Sequence, residues 1–387
     1  MTDSPALPQP PAGRTRTVLV IGGGASGNAA TILLRRAGVA VDLVEAKPDW
    51  NATTGSGITL QGNALRVLRE LGVWDQVAAS GFAFGTVGVT LPDGTVLHVV
   101  EDIQTGGADL PATLGMQRPR LQQILIEAVR ASGAGVRLGT TVTALEQDAD
   151  GVSVRFSDGS EGRYDLVIGA DGLGSATRAM IGVTDKPEPT GMAIWRIAAP
   201  RPEGLERTDL AYGGPAYIAG YCPTSAQTIY AYVVEDRRDR ASIPPESYAD
   251  EMRALAEGYG GYWPEIVKHI DDPAEVNYTW FDRHLVEGPW HRGRVVLVGD
   301  AAHCCPPTLA QGAAMSLEDA SVLAELLTTR SDWDEQLFTD FHARRLPRVR
   351  MVVDASVQIG RWLLDGVRDA DVPGLMGRTM SALKERP

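Results

Sequence analysis

The sequence predicts an α/β fold in which a doubly wound domain with a parallel sheet encloses an inserted antiparallel sheet and is followed by C-terminal helices. Three observations predict this fold. Residues 17–45 run from a short apolar strand through a glycine-rich turn and a helical stretch to a second apolar strand. Apolar strands at 165–169 and 294–298 lead to an aspartate just beyond a glycine, where ligands bind in open α/β sheets. Between these strands, residues 190–235 alternate aromatic and polar side chains, as an antiparallel sheet with one exposed face does.

Composition and charge limit what this chain can do. It has 387 residues and a mass of 41.3 kDa, enough for two packed domains with a large core. The net charge of −13 argues against nucleic acid and anionic membranes as main partners, and no long apolar run predicts an integral membrane segment. Residues 1–15 are predicted to be a disordered, proline-rich arm without an apolar signal region, so a cytoplasmic location is expected. Cys222, Cys304 and Cys305 lack a CxxC spacing, and no metal site is predicted.

The first strand–helix–strand unit carries a glycine fingerprint at Gly22, Gly24 and Gly27. The first glycine permits the tight turn, the second lets the backbone approach a pyrophosphate, and the third lets the helix pack closely on the sheet. The N–H groups of residues 24–27 would face the phosphates at the positive end of the helix. Glu45 ends the second strand, where a carboxylate accepts hydrogen bonds from ribose hydroxyls. This unit predicts a Rossmann-like site for one dinucleotide, with ligands at Gly22, Gly24, Ala25, Ser26, Gly27, Glu45 and Ala46.

The remaining segments follow in order along the chain. Helices are predicted at 62–72, 118–131, 246–270, 313–327 and 333–386, a hairpin at 86–100, and strands at 136–147, 151–159, 163–170 and 294–298. Together they predict a discontinuous dinucleotide-binding domain, an inserted substrate sheet and a C-terminal helical segment. The predicted boundaries are 16–81, 116–187 and 286–345 for the first, 82–115 and 188–285 for the second, and 346–387 for the third.

Three further segments indicate that the dinucleotide is FAD. Residues 165–178 form a strand, a Gly-Ala-Asp-Gly turn and a downstream arginine. Residues 294–319 deliver Asp300 at the end of a strand, where its carboxylate can accept hydrogen bonds from ribityl hydroxyls. Gly312 then opens a helix whose free N–H groups favour the negative charge that a reduced flavin carries at its N1–C2=O edge. Arg118 opens another helix, from which it can reach a phosphate or ribose of FAD.

The ordered motifs GGGASG, GADGLGSATR and GDAAHCCPPTLAQGAAMSLEDA resemble those of the single-component, FAD-dependent aromatic hydroxylases, the class A flavoprotein monooxygenases. The resemblance runs from residue 16 to residue 350, and 4-hydroxybenzoate and salicylate hydroxylases are relatives. It implies a glutathione-reductase/4-hydroxybenzoate hydroxylase-type domain with non-covalent FAD, NADH or NADPH as transient reductant, and O2 as co-substrate. It also implies hydroxylation of a small phenolic or N-heteroaromatic ring through a flavin C4a-hydroperoxide. The FAD-binding residues it implies are Gly22, Gly24, Gly27, Glu45, Arg118, Gln122, Asp171, Gly172, Asp300, Pro307, Gly312 and Ala313.

The catalytic base is not identified by the sequence. His98 lies on a predicted strand of the substrate sheet, and Tyr217 is one of several tyrosines that alternate along these strands. Arg196 could pair with a substrate carboxylate, although an ion pair at the surface is the simpler expectation. His303 lies beside the flavin loop, and a structural hydrogen bond is expected for it.

Three other functions are compatible with parts of the sequence. A flavin-dependent halogenase is expected to carry a GWxWxIP-like segment and an essential lysine, whereas this chain has MAIWRIAAP and few lysines. A tailoring monooxygenase or epoxidase for a larger natural product often has an additional C-terminal domain. An FAD-binding regulator would have no need of the GDAAHCCPP loop. The substrate, the choice between NADH and NADPH and the oligomeric state stay open, with a homodimer as one option.

Overall fold

The computed structural model describes residues 15–51 and 56–387. The predicted N-terminal arm at 1–15 lies outside the described residues except for Thr15. Within these two ranges, every helix is too short or too polar to cross a lipid bilayer. The same residues contain no group of three or more His, Cys, Asp or Glu side chains placed to hold a metal ion.

Strands and helices are numbered in chain order. The strands are β1 (Thr17–Ile21), β2 (Ala40–Glu45), β3 (Ile58–Gln61), β4 (Phe82–Phe84), β5 (Thr86–Thr90), β6 (Val96–Glu101), β7 (Thr113–Met116), β8 (Gly135–Leu138), β9 (Val142–Gln147), β10 (Val152–Phe156), β11 (Glu161–Tyr164), β12 (Leu166–Gly169), β13 (Glu188–Pro200), β14 (Thr208–Tyr212), β15 (Ile218–Pro223), β16 (Thr228–Asp236), β17 (Asn277–Leu285), β18 (His291–Arg292), β19 (Val295–Leu297) and β20 (His303–Cys304). The helices are α1 (Ala25–Arg36), α2 (Gly62–Glu70), α3 (Trp74–Ser80), α4 (Arg118–Ala131), α5 (Ala176–Met180), α6 (Tyr248–Ala256), α7 (Trp263–Ile266), α8 (Gly312–Thr329), α9 (Glu335–Leu364) and α10 (Val372–Ala382).

A six-stranded sheet forms the centre of the first domain. Its order is β18-β19-β12-β1-β2-β8, and its strands are parallel apart from β18. The central strands β1, β12 and β19 are almost entirely buried, which explains their continuous runs of Val, Ile and Leu. Helix α1 packs against α4 and α8. The predicted strand–helix–strand unit at 17–45 is confirmed, because β1 and β2 pair in parallel and α1 connects them.

The segment from 135 to 169 contains five strands, where the sequence predicts three. The predicted strand 136–147 breaks at Gly139, whose φ of 65° is left-handed, into β8 and β9. β8 joins the parallel sheet beside β2, whereas β9 pairs with β10 in a separate antiparallel sheet that β11 completes. The predicted strand 163–170 likewise divides at Asp165 into β11 and β12. The prediction was wrong here because an apolar pattern does not show where a chain leaves one sheet for another.

An eight-stranded sheet forms the second layer. Its order is β20-β17-β13-β16-β15-β14-β5-β6, and its strands are antiparallel except for the pair β14 and β5. Along β13, alternate residues face opposite sides of the sheet. Trp195 and Ile197 face outward into an apolar core that is shared with α6 and α7. Ile194 and Arg196 face inward, and Ile194 packs with residues of α9. The predicted antiparallel pairing at 190–235 is therefore confirmed, but the exposed face expected for this sheet is wrong, because α6 and α7 cover one face and residues of α9 pack on the other.

The strand pairings cross the predicted limits of the inserted sheet. The sequence predicts β4 within it, but β4 pairs with β7, which also pairs with β3, in a three-stranded sheet. Conversely, β20 lies beyond the predicted insert and pairs with β17 at the edge of the eight-stranded sheet. The predicted domain boundaries stay a prediction, since strand pairing alone does not define a domain.

The C-terminal segment is helical, as predicted. Helix α9 spans thirty residues and contacts α8, α10, β13 and β17. A short irregular stretch separates it from α10. These contacts place α9 against the eight-stranded sheet and beside α8.

Candidate active site

The glycine-rich turn after β1 leaves open space above one of its glycines. Gly22 has a left-handed φ of 103°, and a Cβ atom there would lie 2.3 Å from the carbonyl oxygen of Ala170. A Cβ atom on Gly27 would lie 2.0 Å from the carbonyl oxygen of Gly22. A Cβ atom on Gly24 would have no other atom within 4 Å. The backbone therefore needs glycine at Gly22 and Gly27, whereas at Gly24 the space is free for a ligand to approach.

Surrounding side chains brace this turn. The Gly23 N–H donates to the Glu45 carboxylate at 2.8 Å, whose other oxygen accepts from the Lys47 N–H. The Gly23 carbonyl accepts hydrogen bonds from three side-chain nitrogens, which are Asn28 Nδ2 (3.0 Å), Trp50 Nε1 (3.0 Å) and Gln122 Nε2 (2.7 Å). Glu45 and Gln122 thus fix the shape of the turn, and their contact with the cofactor stays a prediction. Ala46 is exposed beside Glu45.

Helix α1 offers an anion-binding end at this open space. Its N-cap is Gly24, which provides no side chain to cap the first N–H groups, and the first turn holds no acidic residue. Ala25 is half-buried and Ser26 is buried. Unpaired N–H groups and the helix dipole favour a bound phosphate. The turn and helix together fit the pyrophosphate of a dinucleotide.

A second turn follows β12. Asp171 accepts hydrogen bonds from Ser175 Oγ at 2.5 Å, and from the Thr177 N–H and Oγ1 at 2.9 Å each. Gly172 has a φ of 78°, which favours glycine. Arg178 is buried and donates to the carbonyl oxygen of Ala301 at 3.0 Å, so it ties this turn to the one that carries Asp300. The Asp171 carboxylate organises its own turn, and its role as an FAD ligand stays a prediction.

Asp300 lies in a tight turn directly after β19. Its side chain keeps substantial exposure to solvent. The protein around it nevertheless raises the pKa of the carboxyl above its ordinary value, because desolvation outweighs the nearby charges of His303 and Arg118, which lower the pKa. A carboxylate with both properties lies in a recess of the protein surface. The position fits hydrogen bonding to the hydroxyls of a bound cofactor.

The first turn of α8 lies beyond the same loop. Pro307 is exposed and begins a short 3-10 turn, and Ala310 has a φ of 51°, the one left-handed non-glycine residue in the described ranges. Gln311 directly precedes the helix, but its side chain makes no hydrogen bond to the first N–H groups of α8. That side chain is fully buried, and its amide bonds to Asn63. Gly312 and Ala313 are half-buried, and no acidic side chain lies in this first turn. The N–H groups here are available to an electron-rich ligand edge.

Arg196 is a charged side chain on the inner face of the eight-stranded sheet. It donates to Thr279 Oγ1 at 2.7 Å, and it forms no ion pair with any carboxylate among residues 15–51 and 56–387. Burial lowers the pKa of its guanidinium to about 10, so it is protonated at neutral pH. Tyr230 and Tyr232 stack beside it with ring centroids 5.3 Å apart. The expected surface ion pair of Arg196 is wrong, because the side chain lies half-buried on the inner face of the sheet and bonds to Thr279.

Arg118 connects the predicted flavin residues to the substrate sheet. It opens α4 and its side chain is exposed. Its charge lowers the pKa of both Asp300 and Arg196, so Arg118 lies within electrostatic range of each of them.

The other two catalytic candidates do not fit. His98 is exposed on β6, the outer edge strand, and four strands separate β6 from β13. At about 4.8 Å per strand, His98 lies roughly 24 Å from the strand that carries Arg196. Tyr217 donates to the Asp236 carboxylate at 2.7 Å, which raises its pKa to about 12 and keeps its hydroxyl protonated at neutral pH. Neither residue therefore acts as a base beside Arg196.

A buried polar network that the sequence does not predict lies behind the loop that carries Asp300. His303 Nε2 lies 2.6 Å from the Asp319 carboxylate, which confirms the structural hydrogen bond expected for His303. Asp319 also accepts from Arg345, and both are fully buried. The signal in the sequence is the pair Glu318 and Asp319 within an otherwise apolar helical stretch.

Comparison with known proteins agrees with this site. A family model described as an FAD binding domain matches residues 15–356. The chain is 33% identical over 370 residues to the putative FAD-dependent monooxygenase YetM of Bacillus subtilis, which covers 95% of this chain and 99% of that protein. It is 32% identical over 386 residues to the 3-amino-4-hydroxybenzoate 2-monooxygenase PtnB3 of Streptomyces platensis, covering 92% of each.

A solved structure shares the fold. Klebsiella pneumoniae HpxO complexed with FAD and uric acid superposes with a TM-score of 0.80 at 24% identity, covering 95% of this chain and 92% of that chain. The glycine turn, the Asp300 turn and the free end of α8 are the parts of this chain that fit FAD. The chain therefore belongs to the FAD binding domain family, and it is an FAD-dependent flavoprotein monooxygenase.

Proposed function

We propose that this enzyme hydroxylates a small aromatic ring that carries an acidic oxygen, such as a phenol, a hydroxypyridine or an aromatic carboxylic acid. The observation that carries the proposal is the half-buried guanidinium of Arg196, which donates to the neutral hydroxyl of Thr279 and pairs with no carboxylate among residues 15–51 and 56–387. A cation that is partly shielded from water and lacks a counter-charge is unfavourable, and an anionic ligand compensates it. A phenolate or carboxylate of the substrate supplies that charge.

The neighbouring tyrosines support an aromatic ligand. Tyr230 and Tyr232 stack at an angle of 28°, and the Tyr230 hydroxyl is held by Thr59 Oγ1 at 3.0 Å. Burial raises the pKa of both hydroxyls above the ordinary value, so they act as hydrogen-bond donors and not as bases. Their ring faces and edges provide the kind of contact that planar ligands prefer.

Each part of the site has a task in this reaction. Bound FAD supplies the oxygen-transfer chemistry, with electrons from NADH or NADPH and with O2 as the oxidant. The turn at Gly24 and the start of α1 would hold the pyrophosphate, Asp300 the ribityl chain, and the start of α8 the pyrimidine edge. Arg196 would hold the oxygen of the substrate in its anionic form, because a nearby positive charge lowers the pKa of a phenol. The electron-rich ring then accepts one oxygen atom, and the other leaves as water.

The test measures flavin reduction with a panel of rings. Purified holoenzyme is mixed anaerobically with NADH or NADPH, with and without phenols, hydroxybenzoates, hydroxypyridines and their methyl ethers, and bleaching of the flavin is followed. We expect acidic rings to accelerate reduction and the ethers to have little effect.

A matched pair of arginine variants sharpens this test. In Arg196→Met, the concentration of ring that gives half-maximal acceleration should rise by about 10- to 100-fold, since a charge-assisted hydrogen bond is lost. Arg283→Met removes an exposed arginine of β17 that pairs with Glu188, and it should behave as the wild type. Equal acceleration by acidic rings and ethers, or an unchanged Arg196→Met variant, would refute the proposal. Reduction by neither nucleotide with any ring would imply a partner reductase and favour the halogenase alternative.

We further propose that two copies pair through β6. This edge strand exposes four apolar side chains, two on each of its faces. They are Val96 (46%), Leu97 (54%), Val99 (47%) and Val100 (50%). Free strand edges pair readily, and an antiparallel pair centred on His98 would match apolar residues with apolar residues. Light scattering should give a dimer for the wild type and for Val367→Lys, which alters an exposed valine elsewhere, but a monomer for Val99→Lys. A monomeric wild type would contradict this proposal.

We also propose a cytoplasmic location. The support is that Cys222, Cys304 and Cys305 are all unpaired thiols, as proteins of reducing compartments have. Fractionation of the source cells should recover the protein with cytoplasmic markers, and recovery outside them would overturn this expectation.

A further inference from the structure

Five polar side chains form a continuous buried network beside the flavin site. All five are 0% exposed. Asn63 lies on α2, and Gln311 directly precedes α8. Glu318 and Asp319 lie on α8, and Arg345 lies on α9. The network has two arms, and each arm ends on a segment that fits FAD.

The first arm holds the turn that carries Asp300. Asp319 Oδ2 accepts hydrogen bonds from the Gly299 N–H at 2.8 Å and from His303 Nε2 at 2.6 Å. Its other oxygen accepts from Arg345 Nε at 2.7 Å. Gly299 and His303 lie on either side of Asp300 in the sequence. One carboxylate therefore fastens both ends of this turn.

The second arm reaches the start of α8. Arg345 Nη1 donates to Glu318 at 3.0 Å, and Glu318 accepts from Asn63 Nδ2 at 3.2 Å. The side-chain amides of Asn63 and Gln311 then bond to each other at 3.0 and 3.3 Å. Gln311 directly precedes Gly312, where α8 begins. The arm thus runs from Arg345 to the free N–H groups of that helix.

Stability alone does not account for such a network. A buried ion pair contributes no more to folding than well-packed apolar residues of similar size. Here burial alone would raise the pKa of Asp319, but the charges of His303 and Arg345 lower it, so the carboxylate stays ionised and keeps its three partners. The network fixes a geometry, and the geometry that it fixes is that of the flavin site.

We propose that Asp319 is a positioning residue for the flavin, and that the network sets the separation between Asp300 and the first turn of α8. The ribityl chain and the pyrimidine edge of one bound flavin would contact these two segments at the same time. Because the inference concerns the flavin alone, it holds whichever aromatic ring the enzyme takes. A failure of the substrate proposal leaves it untouched.

The experiment compares two aspartate variants. Asp319→Asn keeps the size of the side chain but removes the charge and places an amide donor among N–H groups. Asp340→Asn is the control, because Asp340 is a half-buried aspartate of α9 that pairs with Arg330 away from the site. The dissociation constant of FAD is measured by fluorescence titration of the apoprotein, and the two-electron potential of bound flavin by spectroelectrochemistry.

The two variants should differ in both readouts. In Asp319→Asn, the dissociation constant of oxidised FAD should rise about tenfold, because the turn and the helix no longer hold a fixed spacing. The affinity for reduced FAD should fall about tenfold further than the affinity for oxidised FAD, because the anionic edge of reduced flavin depends most on the start of α8. This tenfold difference corresponds to a two-electron potential about 30 mV more negative. Asp340→Asn should show neither change. A less stable Asp319→Asn apoprotein that binds FAD with the wild-type constant and potential would overturn the proposal.

Variants of His303 keep the proposal testable if Asp319→Asn does not fold. His303→Ala removes one fastening of the turn and leaves the Asp319–Arg345 pair in place, so it should shift the affinity and the potential in the same direction. His303→Gln retains a side-chain N–H donor and should restore both towards the wild type. Equal behaviour of the alanine and glutamine variants would show that the packing of His303 against Trp290, and not its bond to Asp319, is what matters.

Discussion

Replacing Gly24 with valine tests whether this glycine is required for binding FAD and not for folding, in contrast to Gly27. Gly24 has φ −80° and ψ −169°, an extended conformation that valine adopts readily, and its Cβ direction is empty to 4 Å. We therefore expect the free energy of unfolding of the apoprotein to change by less than about 0.5 kcal/mol. At Gly27 the result should be the opposite, because a Cβ atom would lie 2.0 Å from the Gly22 carbonyl oxygen.

The effect of this valine on FAD follows from the same geometry. Its side chain would occupy the space through which a pyrophosphate reaches the first N–H groups of α1. Each hydrogen bond to a charged group contributes about 1.5–3 kcal/mol, so the loss of two weakens binding by about 3–6 kcal/mol. That range corresponds to a dissociation constant raised roughly 10²- to 10⁴-fold.

The assay combines thermal unfolding of the apoprotein with a fluorescence titration of FAD. Gly85→Val is the control, because Gly85 is also open to 4 Å but lies between β4 and β5, away from the turn. It should bind FAD as the wild type does. The reasoning would be refuted by a Gly24→Val protein that is folded and binds FAD with the wild-type constant.

Three further outcomes are expected. Asp300→Ala should weaken FAD binding about tenfold and leave the apoprotein folded, because the side chain is exposed to the site; full flavin retention on gel filtration would exclude this role. Ala310→Gly should raise the free energy of unfolding in urea by up to about 1 kcal/mol, since it relieves the left-handed φ of 51°; a decrease would contradict that. Burial lowers the pKa of His284 from 6.5 to about 4, so the unfolded chain binds more protons between these values and stability is lost as the pH falls from 6.5 to 4. The loss should be up to roughly 3 kcal/mol, and His284→Asn should flatten that pH dependence in urea unfolding; an equally steep profile would count against the shift.

The glycine fingerprint and the central strands could be predicted because their causes are local. Gly22 and Gly27 meet backbone atoms within a few residues or on the adjacent strand, so any such turn must have glycine there. The buried strands β1, β12 and β19 have unbroken apolar runs because both faces of the sheet are covered. Patterns of this kind need no knowledge of distant contacts.

The surroundings of Arg196 could not be predicted, because they depend on which side of the sheet faces the first domain. Strand alternation shows that Trp195 and Arg196 point in opposite directions. It does not show that α6 and α7 cover the tryptophan side, which leaves the arginine inside. A charged residue beside a large aromatic one is also common at the surface, so the surface ion pair was the natural expectation.

The network around Asp319 escaped prediction for a related reason. Its arginine partner lies 26 residues further along, on a different helix. Nothing in the local sequence shows that these two helix faces meet away from water. The weak signal was two adjacent carboxylates in a stretch whose other side chains are mostly apolar, and its meaning depends on tertiary packing.

The short strand β20 has a consequence for how this enzyme can evolve. β20 follows the Asp300 turn and pairs with β17, which pairs with β13, so two sheet spacings of about 4.8 Å each separate β20 from the strand of Arg196. Backbone hydrogen bonds set this distance, whatever the side chains are. Mutations on β13 and β16 can therefore change the side chains around Arg196 without changing the separation between its strand and the Asp300 turn. The sheet keeps this spacing constant, whereas the side chains that would select a substrate can diverge.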